Sequence, residues 1–232
     1  MASSYGAHLH VQAAEDDQRL TAEVAPSNLH SSAAFRRGPG MTTTLDEQKR
    51  RLRAEAKTRR AAAADAGEGA AEAVCRNLRA AVPLPAGAVV SAYWPMASEL
   101  DTRPLMAALR KCGHPIALPV VVGKGEPLLF RAWSPGDVLE PAGFNTRVPG
   151  ADKPELTPDV ILAPLLAFDR RGYRLGYGGG FYDRTLGVLR SRDGVLAIGL
   201  AFADQEVPAV PHGPDDRRLD WIITEAEAIR SE

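Results

Sequence analysis

Short apolar runs alternate with helix-forming segments along this chain, and that rhythm restricts the fold more than any other feature. Val89–Trp94, Ile116–Val121, Asp159–Ala163, Val195–Leu200 and Trp221–Thr224 are close to continuously apolar, the pattern of strands covered on both faces. Leu128–Trp133 reads as a further strand, and Pro95 stops the first run. Thr44 and Glu47 stand in capping-box spacing, which starts a helix running to about Ala64. Further helices are expected from Gly69 to Ala81, ended by Pro83, from Asp101 to Lys111, and from Tyr182 to Arg190. The expectation is an α/β fold: a single three-layer domain with a mostly parallel sheet flanked by helices. The Pro/Gly-rich connection through Pro158 suits a mobile loop.

Ligands of such sheets sit at the carboxyl ends of the strands, where Trp94, the segment after Ala163 and Asp204 would gather. That segment, Phe168–Arg184, carries Gly176, Gly178, Gly179 and Gly180 immediately before an expected helix. Glycines let backbone N–H groups approach an anion, and a helix N-terminus adds roughly half a positive charge. No Gly-Lys-Ser/Thr follows, so this is not a Walker A loop, and Phe181 occupies the third glycine position of the dinucleotide fingerprint. Glycines alone fit a surface loop equally well. Arg174 before them and Phe181, Tyr182 and Asp183 after them add a cation, aromatic surfaces and a hard oxygen ligand, the parts of a Mg-nucleotide site.

Between Lys49 and Arg60 there are seven cations and one carboxylate. Lys49 and Arg53 are four apart, neighbours on one helical face, and can aim two charges at one polyphosphate. The other cations fit a solvated face. A net charge of −1 argues against wholesale electrostatic binding to nucleic acid or membrane, and no apolar run is long enough to span a bilayer. With 232 residues, 45% of them hydrophobic, one domain with a full core is expected. Cys75 and Cys112 show no metal or disulfide spacing; they read as buried, inert thiols, which suits a reducing, cytoplasmic setting. Residues 1–40 lack apolar periodicity and a signal-peptide core, and read as a disordered extension or as lying upstream of a true start at Met41.

After Met41 the chain resembles the 5-formyltetrahydrofolate cyclo-ligases, also called 5,10-methenyltetrahydrofolate synthetases. Four ordered blocks carry the resemblance: Lys49 with Arg53; an aromatic strand followed by Glu99-Leu100-Asp101-Thr102; Ala163–Asp169 leading into Arg174–Asp183; and Gly199–Gln205 followed by Asp216–Asp220. It implies a cyclo-ligase domain over residues 41–232 with a CoA-transferase-like three-layer fold. It also implies an ATP- and Mg2+-dependent closure of 5-formyltetrahydrofolate to 5,10-methenyltetrahydrofolate, with ADP and phosphate released. A non-catalytic folate- or nucleotide-binding module is the alternative. The implied partners are ATP and the folate, with polyglutamate preference open; a monomer is expected.

The resemblance assigns ATP to Lys49, Arg50, Arg51, Leu52, Arg53 and Arg174. It adds the backbone cradle of Leu175, Gly176, Tyr177, Gly178, Gly179, Gly180, Phe181 and Tyr182. Trp94 and Glu99 fall at the folate, Tyr177 to Phe181 line the boundary between formyl group and γ-phosphate, and Asp183 and Asp216 fall on the Mg2+ side. Arg174, Tyr177 and Lys49 would support phosphoryl transfer, with no protein nucleophile. A carboxylate at Glu99 suits the N–H donors of a pterin. One departure stands out: many family members have Arg or Lys inside the glycine loop, where this chain has Tyr177 and Gly179. The family's mobile folate-contacting loop would lie in Phe144–Pro149.

Overall fold

The computed structural model describes residues 43–192 and 194–232, so the expectations for residues 1–40 lie outside it. Thr44 caps α1 (Leu45–Ala66), its hydroxyl accepting from the Glu47 N–H at 3.3 Å. α2 (Ala70–Ala81), β1 (Val90–Ser91) and α3 (Arg103–Lys111) follow, then β2 (Ile116–Val120) and β3 (Leu129–Trp133). After these come β4 (Leu139–Pro141), β5 (Arg147–Pro149), β6 (Val160–Pro164), β7 (Ala167–Phe168) and β8 (Arg174–Leu175). α4 (Phe181–Leu189), β9 (Leu196–Leu200), β10 (Trp221–Ile223) and β11 (Ala228–Arg230) complete the chain.

Seven strands form one sheet in the order β11-β10-β9-β6-β1-β2-β3. The five inner strands are mutually parallel: Val90 pairs with Ile116 on one side and Val160 on the other, Val160 with Leu196, and Trp221 with Ile198. β3 and β11 are antiparallel edges. The few residues between β2 and β3 are too short for a crossover, so β3 turns back on its neighbour.

Successive residues of β6 show why continuous apolar runs were needed. Ile161 and Leu162 point to opposite faces, and both are fully buried. Leu162, Val160, Ile198 and Ile223 pack with Val74 and Leu78 of α2 and Leu105, Met106 and Leu109 of α3. Ile161, Ala163, Ala197 and Ile222 pack with Leu186 of α4 on the other side. Each of the Val, Leu, Ile and Met side chains is worth ~1.5–3 kcal/mol when fully buried, so two covered faces give the three layers their stability.

Several expectations need correction. The strand at Val89–Trp94 shrinks to two residues, because Pro95 and a turn through Met96–Glu99 carry the chain off the sheet. The connection before Pro158 holds the β4–β5 hairpin where a loop was expected, and β7–β8 form a second hairpin inside the glycine segment. Cys112 is exposed and Cys75 only partly buried; Cys112 ends α3, where the helix runs out toward solvent.

Candidate active site

One face of α1 meets the loops that leave the carboxyl ends of the parallel strands. The helix has 22 residues, ~33 Å at 1.5 Å per residue, enough to reach several of those loops. Lys49 Nζ lies 2.6 Å from Asp216 Oδ2, Arg53 Nε donates to the Gly176 carbonyl at 2.9 Å, and Arg59 donates to the Glu206 carbonyl at 3.2 Å. Arg60 Nε donates to Ser98 Oγ at 3.2 Å.

The glycine loop links β8 to α4. Gly180 caps α4 with φ at 67°, and Gly178 has φ at 103°, both in the left-handed region that favours glycine. At Gly178 a Cβ would also come within 3.3 Å of the Arg53 guanidinium carbon. The loop therefore passes close under α1, where its Gly176 carbonyl meets Arg53, and runs into the N-terminus of α4.

Arg174 is the buried centre of the first polar cluster. Its Nη2 donates to Asp183 Oδ1 at 2.8 Å and its Nη1 to the Arg217 carbonyl at 2.7 Å. Burial pushes the guanidinium pKa down, while Asp183, Tyr182 and Asp216 pull it back up. The Arg217 N–H also donates to Asp183 Oδ1, at 2.9 Å, and the Gly213 N–H donates to Asp216 Oδ2 at 2.6 Å. Asp216 feels burial upward, but the Lys49 ammonium and the Gly213 N–H outweigh it and hold the carboxyl below its ordinary value. Asp183 Oδ2 and Asp216 Oδ1 have no hydrogen-bond partner among the described residues. Two carboxylates, each with one oxygen to spare beside the glycine loop, are the donor type Mg2+ takes, its other ligands being phosphate oxygens and water. No group of three or more His, Cys, Asp or Glu among the described residues could enclose a metal alone.

A second cluster lies beside it. Tyr177 Oη donates to Glu99 Oε1 at 2.9 Å, and the Met96 N–H donates to Glu99 Oε2 at 3.0 Å. Ala97, in that turn, holds φ at 47°, a strained value for a residue with a Cβ. Burial raises the Glu99 pKa, against the Met96 N–H, the Tyr177 hydroxyl and the Arg60 charge. Burial and the Glu99 charge push the Tyr177 pKa up to about 12. Trp94 stands edge-on to Trp133, centroids 5.9 Å apart, with the Arg103 guanidinium 5.9 Å from its ring.

The expected residues do not all converge. Lys49, Arg53, Arg174, Asp183, Asp216 and the glycine loop come together, as do Glu99 and Tyr177. Arg50 and Arg51 are exposed on the outer side of α1, and Leu52 packs into the core against Leu166, Leu175 and Val210. Asp204 is exposed on a short 3-10 turn. Arg60, buried beside Glu99, was missed. Its signal was the stripe Lys49, Arg53, Ala56, Arg60, Ala63, one helical face by spacing.

A largely parallel α/β sheet flanked by helices, with a glycine-rich loop, three cations and two carboxylates gathered beside it, sets the class of the fold. The sequence profile of the 5-formyltetrahydrofolate cyclo-ligase family matches residues 45–225. The chain belongs to that family. The 5-formyltetrahydrofolate cyclo-ligase of Mycolicibacterium smegmatis is 34% identical over 154 residues, 62% of this chain and 76% of that protein. The Escherichia coli K12 protein of the same name is 35% identical over 141 residues, 58% of this chain and 76% of its own length. Among solved structures, the 5,10-methenyltetrahydrofolate synthetase of Aquifex aeolicus superposes with a TM-score of 0.60 at 26% identity, covering 80% of this chain and 92% of that one. The Mycoplasma pneumoniae synthetase shares the fold, with a TM-score of 0.61 at 23% identity over 76% of this chain and 98% of that one.

Proposed function

We propose that this chain closes 5-formyltetrahydrofolate to 5,10-methenyltetrahydrofolate at the cost of one ATP, with Mg2+. The observation that carries the reading is the Arg174–Asp183 pair beneath the glycine loop, with Lys49 and Asp216 next to it. ATP would lie with its triphosphate on the loop N–H groups and the N-terminus of α4, neutralised by Lys49, Arg53 and Arg174. Mg2+, held by Asp183 and Asp216, would supply charge neutralisation at the phosphates.

The folate would enter beside Trp94 and Glu99. Its formyl oxygen is a poor leaving group in water. Transfer of the γ-phosphoryl group to that oxygen releases ADP and forms an N5-iminium phosphate; N10 then attacks the activated carbon, and the N10 proton leaves as phosphate departs with the oxygen. The protein supplies no nucleophile in this scheme. Its work is alignment and exclusion of water, with Arg174, Lys49 and the Tyr177 hydroxyl facing the transferred group.

The test is absorbance in the methenyl-folate band on mixing the protein with 5-formyltetrahydrofolate, ATP and Mg2+. A rise that requires ATP and Mg2+ and collapses in Asp183→Asn supports the reading. No rise, with thermal stabilisation by folate or ATP, would make the chain a binding module.

A further inference from the structure

Arg60 is 4% exposed and Glu99 8% exposed, and they face each other. Arg60 Nη1 lies 3.6 Å from Glu99 Oε1, an ion-pair distance too long for a hydrogen bond, and it is a buried donor with no hydrogen-bond partner. A buried unsatisfied donor is costly, and a charged one more so. Tyr177 covers the pair: its ring lies 5.4 Å from the Arg60 guanidinium carbon and its hydroxyl occupies Glu99 Oε1. Yet Tyr177 is itself 45% exposed, and it stands between Gly176 and Gly178, so the cover is held by its contacts with Arg60 and Glu99 alone among the polar groups described.

We propose that Arg60 is a further substrate-contacting residue, exposed when Tyr177 lifts, and that Arg60 and Glu99 together read the lactam edge of the pterin ring. The carboxylate accepts from the ring N–H and amino group, while the unpaired Nη1 donates to the adjacent carbonyl oxygen. An acceptor beside a donor complements a cyclic amide, which offers N–H beside C=O. The same pair opposes a ring bearing an amino group in place of that carbonyl, because two donors then meet. Tyr177 keeps Glu99 hydrogen-bonded until the substrate replaces it. This inference rests on the folate reading above.

The experiment compares dissociation constants of the full chain for 5-formyltetrahydrofolate and for its 4-amino-4-deoxy counterpart, without ATP. The wild type is expected to favour the oxo ligand by about 10- to 100-fold, the range of one charged hydrogen bond. Arg60→Met should lose most of that preference by weakening the oxo ligand, and Arg60→Lys, which keeps a donor and guards against a folding defect, should retain part of it. Tyr177→Phe should bind the oxo ligand more tightly. An unchanged ratio in both Arg60 variants, or weaker binding in Tyr177→Phe, overturns the inference. If the wild type makes methenyl product while the ratio stays unchanged, only this inference falls; if the wild type neither makes product nor binds folate, the functional reading falls with it.

Discussion

Arg174 and Asp183 hold each other across 2.8 Å, nine residues apart in sequence, and the Arg217 N–H donates to the same carboxylate oxygen at 2.9 Å. That oxygen is saturated by positioning contacts, which leaves the other free for a metal or a ligand. Asp183→Asn should keep the fold and lower kcat by about 100-fold, a typical loss for one preorganised electrostatic contact. Arg174→Lys should lose roughly tenfold or more, because an ammonium cannot reproduce the two-pronged contact with Asp183 and the Arg217 carbonyl. Steady-state kinetics with ATP varied would read both; full activity in Asp183→Asn would remove it from the metal side.

Lys49 and Asp216 join α1 to the C-terminal region. Because the Asp216 carboxyl is held below its ordinary value in the folded chain, its contribution to stability is present above the unfolded value and is lost as pH falls through the folded one. Asp216→Asn should therefore lower the melting temperature at pH 7 and converge with the wild type at strongly acidic pH. A penalty independent of pH would mean that the ion pair is not its source.

Glu99 has the opposite sign. Its carboxyl is raised by burial, so the folded chain takes up that proton more readily than the unfolded one. Stability from this group is present below the unfolded value and is lost as pH rises through the folded one. The melting temperature of Glu99→Gln relative to wild type should thus climb between pH 4 and pH 8. The same variant should raise KM for the folate, and an unchanged KM would refute the assignment of Glu99 to the substrate.

Gly178 places its φ of 103° under the Arg53 guanidinium. Gly178→Ala adds a Cβ both to a left-handed backbone and to that contact, at a cost of ~1–2 kcal/mol locally. The loop should shift, with KM for ATP rising several-fold in kinetic assays and KM for folate changing less.

Gln205 is a structural member of the matched blocks. Its amide donates to the Leu165 and Leu166 carbonyls at 2.9 and 3.0 Å, and its Oε1 accepts from the Phe202 N–H at 2.9 Å. Gln205→Leu leaves these buried groups unpaired and should cost about 2–4 kcal/mol in denaturant unfolding. A loss below 0.5 kcal/mol, on the scale of an ordinary surface change, would show that water replaces the amide.

The layered α/β fold was legible because its cause is local: runs such as Val160–Ala163 are apolar at every position, as a strand buried on both faces requires. The glycine loop was legible for a similar reason, since Gly178 and Gly180 answer to backbone angles that few other residues adopt. The small hairpins were not legible, because β7 and β8 pair through two residues each and their stability comes from neighbours. Arg60 was only half legible: the stripe Lys49, Arg53, Ala56, Arg60, Ala63 puts it on the inward face, but not against any particular partner. Seven cations in twelve residues look alike along a helix, and the choice of which one is buried falls to whatever loop lies beneath it. By itself the sequence determined the sheet, the glycine loop and the residue types gathered beside it. Only the tertiary structure decided that Arg60, Glu99 and Tyr177 meet, because contacts across 39 and 78 residues of chain depend on how α1 and the Met96–Glu99 turn pack, and no local pattern encodes that.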